Sequence, residues 1–98
     1  MGVLEGKIAL VTGAASGIGR STAEAFAKEG VSHIALIDLD EQGIQSTSEM
    51  VESLKTGFSK HCIDVTEEDS VEGTLNEIVD EYGSLDIAFN NAGINHPS

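Results

Sequence analysis

The stretch VTGAASGIGRST, residues 11–22, places three glycines between an apolar segment and the start of a helical pattern. Two kinds of phosphate-binding loop carry glycines in this position: the nucleoside-triphosphate P-loop, G-x-x-x-x-G-K-S/T, and the dinucleotide-binding turn. A P-loop that closes at Gly19 would need glycine at position 14 and lysine at position 20, but the chain has Ala14 and Arg20 there. The stretch therefore favours a dinucleotide-binding turn.

The three glycines of this turn have separate predicted roles. We expect Gly13 to allow a tight turn out of the strand, Gly17 to let the backbone approach a pyrophosphate, and Gly19 to let the next helix pack closely on the strand. The free N–H groups at the start of that helix would face the phosphates. The spacing is G-x-x-x-G-x-G, a variant of the common G-x-G-x-x-G fingerprint.

Strands and helices are predicted to alternate along the chain. Short connections between them imply right-handed crossovers and a parallel sheet. The predicted fold is α/β, a Rossmann-like doubly wound parallel sheet in the order β-α-β-α-β-α-β, truncated after the fourth strand. Residues 1–98 would be the incomplete N-terminal portion of an NAD(P)-binding Rossmann domain. The predicted strands are Lys7–Thr12, His33–Asp38, Phe58–Asp64 (polar, near a sheet edge) and Leu85–Asn90.

Three helices follow from the apolar periodicity, at about Ser16–Glu29, Glu41–Lys55 and, with Thr66 as its cap, up to Gly83. Each is expected to bury one face against the sheet. The residues predicted on these faces are Ile18, Thr22, Ala25 and Phe26 in the first helix, Ile44, Ser48, Val51 and Leu54 in the second, and Val71, Leu75, Ile78 and Tyr82 in the third.

Composition limits the classes of function. The net charge of −12 lies entirely in residues 38–98, which carry fourteen acids against Lys55 and Lys60. These acids could form a docking face for a basic partner, but they more simply coat the solvent faces of two helices. A chain this acidic is not expected to bind nucleic acid.

Nothing in the sequence indicates a membrane or an oxidising compartment. The chain has no apolar run of 18 residues and no signal-peptide layout at its start. Cys62 is the only cysteine, so no internal disulfide forms, and its apolar neighbour suggests a buried thiol. We expect a cytoplasmic protein.

The second strand ends in Asp38, nineteen residues after Gly19. A carboxylate there can accept hydrogen bonds from the adenosine ribose hydroxyls and would repel a 2′-phosphate. No arginine or lysine stands close to it in sequence, and Asp40 is better placed to cap the next helix. Asp38 therefore predicts NAD as the cofactor in preference to NADP.

Four motifs together resemble the short-chain dehydrogenase/reductase family. They are VTGAASGIGR at residues 11–20, the acid Asp38, the pair Asp64-Val65 and the tetrapeptide NNAG at residues 90–93. They follow the order found in that family and cover the chain from Lys7 to Gly93. The resemblance implies an NAD-dependent oxidoreductase, of which this chain would supply the N-terminal, cofactor-binding part.

The resemblance also implies roles for single residues. Ser16 and Ile18 would contact the adenosine ribose and the pyrophosphate of the cofactor. Asp64 would bind the adenine amino group, and Val65 would lie against the ring. The NNAG turn would hold the fourth strand, although Asn and Gly also form ordinary turns at strand ends. Its residues expected along the nicotinamide ribose are Asn90, Ala92 and Gly93.

The sequence contains no recognisable set of residues for catalysing hydride transfer. The family's chemistry, as the resemblance implies it, uses a Ser and a Tyr-x-x-x-Lys motif, with the tyrosine as general acid/base. Tyr82 is the only tyrosine, is followed four residues later by Asp86 and lies on a predicted apolar face. The histidines His33, His61 and His96 show neither a paired nucleophile nor metal-ligand spacing. We assign no catalytic residue and no metal site, and expect the chain alone to be inactive.

Three hypotheses about function remain open. The chain could belong to a dehydrogenase that passes hydride between nicotinamide and a small alcohol or carbonyl substrate. It could instead be a non-catalytic nucleotide-binding or interaction module, complete at 98 residues. A methyltransferase would be a further user of the fold, but the glycine spacing and the NNAG turn disfavour it. With strand four as an open edge, and apolar surface expected on strands one and four, we predict self-association through the edge or an apolar face.

Overall fold

A computed structural model describes residues 4–90. Its strands are parallel and lie in the order β3-β2-β1-β4, so the predicted Rossmann-like alternation is confirmed. The polar strand β3 lies at a sheet edge, as predicted. The elements are β1 Ile8–Thr12, α1 Gly17–Lys28, β2 His33–Ile37, α2 Glu41–Ser53, β3 Gly57–His61, α3 Glu68–Tyr82 and β4 Ile87–Asn90.

The two central strands form the core of the sheet. Every residue of β1 and β2 is buried, because helices cover both faces of a parallel sheet. Helices α1 and α2 pack on one face and α3 on the other. The expectation that strand one exposes apolar surface is therefore wrong. Strand β4 is half-exposed, with Ile87 and Phe89 partly buried against the α1–α2 side.

The buried face of α1 differs from the prediction. Its buried residues are Gly19, Ala23 and Ala27, whereas Ile18 is 64% exposed. Ala25 and Thr22 are also outside the buried set, and only Phe26 of the predicted face packs partly on the core. The reason is steric: small residues at i, i+4 and i+8 let the helix backbone lie close to β1.

The other two helices match their predicted faces more closely. In α2, Ile44, Ser48 and Val51 are buried as predicted, with Leu54 packed beside them. In α3, Ile78 is buried, and Leu75 and Tyr82 pack partly on the core, but Val71 is only half-buried. The buried residues that the periodicity missed are Thr47 in α2 and Thr74 in α3.

Two local predictions around β3 and α3 are wrong. Glu67, not Thr66, occupies the N-cap of α3 and makes no side-chain capping bond; the Thr66 hydroxyl instead donates to Asp64 Oδ1 at 2.6 Å. Cys62 is exposed rather than buried, because β3 ends at His61 and leaves it in the following loop. By contrast, Asp40 caps α2 as predicted, accepting from the Gly43 N–H at 3.0 Å.

The acidic residues of α2 and α3 lie on solvent-facing surfaces. All of them are exposed, from Glu41 to Glu52 in α2 and from Glu68 to Glu81 in α3. This placement supports the interpretation of the negative charge as a solvated coat. Within residues 4–90, no helix is both long enough and apolar enough to cross a bilayer.

Two histidines meet at the β3 edge, on the face covered by α3. His33 Nε2 lies 3.0 Å from Ser59 Oγ, which lies 2.8 Å from His61 Nε2. The Tyr82 ring stacks on His33 with 4.0 Å between ring centroids. The sequence had indicated no partner for either histidine. Burial lowers the pKa of both imidazoles, although Glu81 near His33, and Glu77 and Glu81 near His61, raise it in part.

This cluster predicts a loss of stability in mild acid. Because both histidine pKa values are lower in the folded chain than the ordinary value of about 6.5, the unfolded chain binds protons first as the pH falls. The free energy of unfolding should therefore decrease from about pH 6.5 downward, before most carboxylates titrate. Urea unfolding at pH 5, 6 and 7 measures this slope. His61→Gln should make the slope shallower, and an unchanged slope in that variant would contradict the prediction.

Candidate nucleotide-binding site at the carboxyl ends of the strands

The glycine turn joins β1 to α1 at the carboxyl end of the sheet. Gly13 has a φ of +64°, which favours glycine, and its carbonyl accepts from the Ser16 N–H at 3.0 Å. Ser16 is the N-cap of α1: its hydroxyl oxygen accepts from the Gly19 N–H at 3.0 Å and donates to the Gly13 carbonyl at 2.7 Å. The predicted tight turn at Gly13 is present, and Ser16 holds it closed.

The other two glycines differ in the space around them. A Cβ on Gly19 would lie 2.0 Å from the carbonyl oxygen of Gly13, so this position requires glycine for helix–strand packing. A Cβ on Gly17 would meet nothing within 4 Å. Gly17 and Ile18 open α1, where N–H groups have no preceding helical carbonyl and the helix carries partial positive charge. This end of α1 can bind an anion.

Asp38 lies directly beside the glycine turn. Its Oδ2 accepts from the Ala15 N–H at 2.9 Å, and its Oδ1 accepts from the Asp40 N–H at 3.0 Å. The carboxylate is half-buried and is oriented by two backbone donors. The sequence predicted that Asp38 and the turn would contact the same cofactor, but not that the Ala15 N–H would bind the carboxylate.

A shallow pocket of about 100 Å³ opens next to this carboxylate. Val65 was a predicted site residue, whereas Leu39 and Ile63 were not. The sequence signal that could have identified Leu39 and Ile63 is that each is an apolar residue shortly after the end of a strand. Because Leu39 is 62% exposed, it offers apolar surface to a flat ring. The pocket is lined by Gly13, Asp38, Leu39, Ile63 and Val65.

Asp64 lies in the loop after β3, next to Val65 in this pocket. Its Oδ1 accepts from the Thr66 N–H at 2.9 Å and from the Thr66 hydroxyl at 2.6 Å. These hydrogen bonds lower the pKa of the Asp64 carboxyl. The group therefore stays ionised at neutral pH and can accept further hydrogen bonds.

Asn90 ends β4 opposite the end of β1. Its Oδ1 accepts from the Thr12 hydroxyl at 2.8 Å, and the two residues are paired in the sheet register. Thr12 was not among the predicted site residues, and no sequence pattern marks it. Ala92 and Gly93, predicted to lie along the same ligand, fall outside the described residues.

A larger cavity, of about 400 Å³, lies between α2 and β3. Gln45 and Lys60 line it, and the Lys60 ammonium donates to Gln45 Oε1 at 2.6 Å. Its lining residues differ from those of the pocket beside Asp38. Across residues 4–90 the structure also groups no three potential metal ligands together.

Comparison with known proteins identifies the family. The family model described as short chain dehydrogenase matches residues 7–98. The chain belongs to this family. Secoisolariciresinol dehydrogenase from Forsythia intermedia is 43% identical over 95 residues, a match that covers 97% of this chain and 33% of the relative. The chain thus spans about a third of the length of that relative.

Solved structures of other proteins share the fold. An NAD⁺-bound xylitol dehydrogenase superposes with a TM-score of 0.87 at 37% identity, covering 94% of this chain and 35% of its own. L-sorbose reductase from Gluconobacter frateurii, solved with NADPH and L-sorbose, gives a TM-score of 0.83 at 32% identity over all of this chain and 37% of its own. The first of these neighbours is bound to NAD⁺ and the second to NADPH, so structural neighbours of this chain bind either cofactor.

Replacing Gly19 and Gly73 with alanine should have opposite effects on the free energy of unfolding. Gly19→Ala should lower the free energy of unfolding by several kcal/mol, because the new methyl would overlap backbone atoms. Gly73→Ala should raise it by about 0.5–1 kcal/mol, because Gly73 lies inside α3 with open space at its Cβ position. Urea unfolding of both variants tests this. Equal effects of the two substitutions would contradict the proposed packing of Gly19.

Proposed function

We propose that this chain binds NAD, in preference to NADP, for an oxidoreductase that transfers hydride between nicotinamide and a small alcohol or carbonyl substrate. The observation that carries the proposal is the Asp38 carboxylate, fixed beside the glycine turn by the Ala15 and Asp40 N–H groups. We further propose that residues 1–98 are the N-terminal portion of an NAD(P)-binding Rossmann domain. When bound, NAD supplies the hydride-accepting nicotinamide ring.

The described residues fit the adenosine and pyrophosphate parts of a dinucleotide. The open space at Gly17 and the helix N-terminus beside Ile18 suit a pyrophosphate. Asp38 would accept hydrogen bonds from the ribose hydroxyls. The adenine would lie in the shallow pocket against Val65, with its amino group donating to Asp64.

The remaining predicted contacts are with the two riboses of the dinucleotide. Ser16 already caps α1, and its position in the turn suits a contact with the adenosine ribose. Asn90 would approach the nicotinamide ribose from the end of β4, with its side chain oriented by the Thr12 hydroxyl. The further residues proposed there are Ala92 and Gly93.

Electrostatics support NAD over NADP. A ribose 2′-phosphate would bring negative charge to the Asp38 carboxylate, and like charges at contact distance repel. Arg20 is the cation nearest to the turn in sequence, but its guanidinium donates to Ser46 on α2 at 3.0 Å. That contact draws its positive charge toward α2.

Asp38→Asn tests the cofactor preference. The variant keeps one side-chain acceptor and loses the charge, so NAD should bind about tenfold more weakly and the ratio of NADP to NAD dissociation constants should fall. Calorimetric titration with both dinucleotides measures the ratio. Asp40→Asn is the matched control, since it removes a charge two residues away and retains a good N-cap; it should leave the ratio unchanged. Equal loss of NAD and NADP affinity in Asp38→Asn would remove Asp38 from this role.

We also propose that the chain self-associates through the edge strand β4. This strand pairs with β1 and forms one edge of the sheet built by residues 4–90. Unpaired strand edges favour pairing with another chain. Sedimentation should therefore show dimers or larger species whose proportion rises with concentration. A single monomeric species that unfolds cooperatively across the concentration range would refute this proposal.

A further inference from the structure

One peptide group in the glycine turn is held from both sides. It joins Ala14 to Ala15. Its carbonyl, on Ala14, accepts from the Thr47 hydroxyl of α2 at 2.8 Å. Its N–H, on Ala15, donates to Asp38 Oδ2 at 2.9 Å. Because a peptide group is planar, with C=O and N–H pointing in opposite directions, fixing one end also orients the other.

The Thr47 contact is built into the interior. Thr47 is 1% exposed and Ala14 is completely buried, so their hydrogen bond is shielded from water. A buried carbonyl that loses its donor carries a substantial desolvation penalty. The Ala14 carbonyl therefore has a strong preference for the orientation that Thr47 imposes.

The start of α2 is shaped to approach the turn at this point. A Cβ on Gly43 would lie 2.4 Å from the Ala15 Cβ and 2.7 Å from an Asp40 carboxylate oxygen. Glycine at position 43 thus lets the first turn of α2 pack directly on Ala15. The same helix brings Thr47, one turn later, to the Ala14 carbonyl. One hydrogen bond from α2 and one from Asp38 therefore hold this peptide group, and Gly43 packs beside the Ala15 methyl.

We infer that Thr47 is a positioning residue for cofactor binding, acting on Asp38 through the Ala14–Ala15 peptide group. Thr47 itself does not touch the cofactor in this arrangement. Its hydroxyl orients the peptide, the peptide N–H holds Asp38 Oδ2, and Asp38 is the group that recognises the ribose. The inference rests on the proposed function, since it assigns a further residue to the same NAD site.

Thr47→Val tests the inference, because valine keeps the shape of the side chain and removes the hydroxyl. We expect NAD to bind about tenfold more weakly to this variant. Thr47→Ser, which keeps the hydroxyl, should bind within about twofold of the wild type. Ser48→Ala is the matched control: Ser48 is equally buried on α2, but its hydroxyl donates to the Gln45 carbonyl of the same helix at 2.8 Å. Its NAD affinity should stay at the wild-type value.

A double-mutant cycle separates positioning from a general loss of structure. If Thr47 acts through Asp38, adding Thr47→Val to Asp38→Asn should weaken NAD binding by much less than it does in the wild type. Equal weakening in both backgrounds would overturn the inference. Thermal melts establish that each variant is folded at the titration temperature. If Thr47→Val does not fold, Thr47→Cys, with a thiol in place of the hydroxyl, replaces it in the cycle.

The wild-type titration distinguishes the two levels of the proposal. A wild-type chain that binds no NAD would overturn the proposed function and this inference with it. A wild-type chain that binds NAD, with an unchanged dissociation constant in Thr47→Val, would overturn the inference alone.

Discussion

The close approach of α1 to the end of β1 is the constraint on which the rest of the site depends. Gly19 lies so near the Gly13 carbonyl that no side chain fits between them. This contact determines which face of α1 meets the sheet. It also requires small residues one and two turns later on that face, where the chain has Ala23 and Ala27. It also places the N-terminus of the helix at the strand ends, where a ligand would bind. The same steric requirement thus serves both packing and recognition.

The glycine turn is ordered by the rest of the sheet as well as by its own glycines. Asp38, at the end of β2, binds the Ala15 N–H, and Thr47 from α2 binds the Ala14 carbonyl. Ser16 caps α1 and donates back to the Gly13 carbonyl, so the turn is also fixed where it enters the helix. A turn held at both ends suits a loop that must be rigid before its ligand arrives.

The central and edge strands of the sheet differ in how deeply they are buried. Strands β1 and β2 are buried throughout, whereas β3 and β4 are partly exposed. At the β3 edge, Ser59 bridges two imidazoles whose pKa values are lowered by burial, under the ring of Tyr82. Tyr82 therefore has a packing role in the described chain, as its place on an apolar helix face suggested. Because burial lowers the pKa of His33 and His61, we expect mild acid to destabilise the fold at this edge.

The sequence by itself determined the order of elements, the parallel sheet, the polar edge strand and the roles of Gly13 and Gly19, because these depend on local apolar runs and on backbone requirements that only glycine meets. It also assigned Asp38 and the turn to the same cofactor, because each directly follows a predicted strand of a parallel sheet. Only the tertiary structure decided the buried face of α1, the exposure of Cys62 and the partners of Ala15, Asn90 and His33. Thr47 is the clearest case: a threonine inside a helix gives no local signal, and its hydroxyl acquires a role only when folding brings Ala14, 33 residues away, to within 2.8 Å.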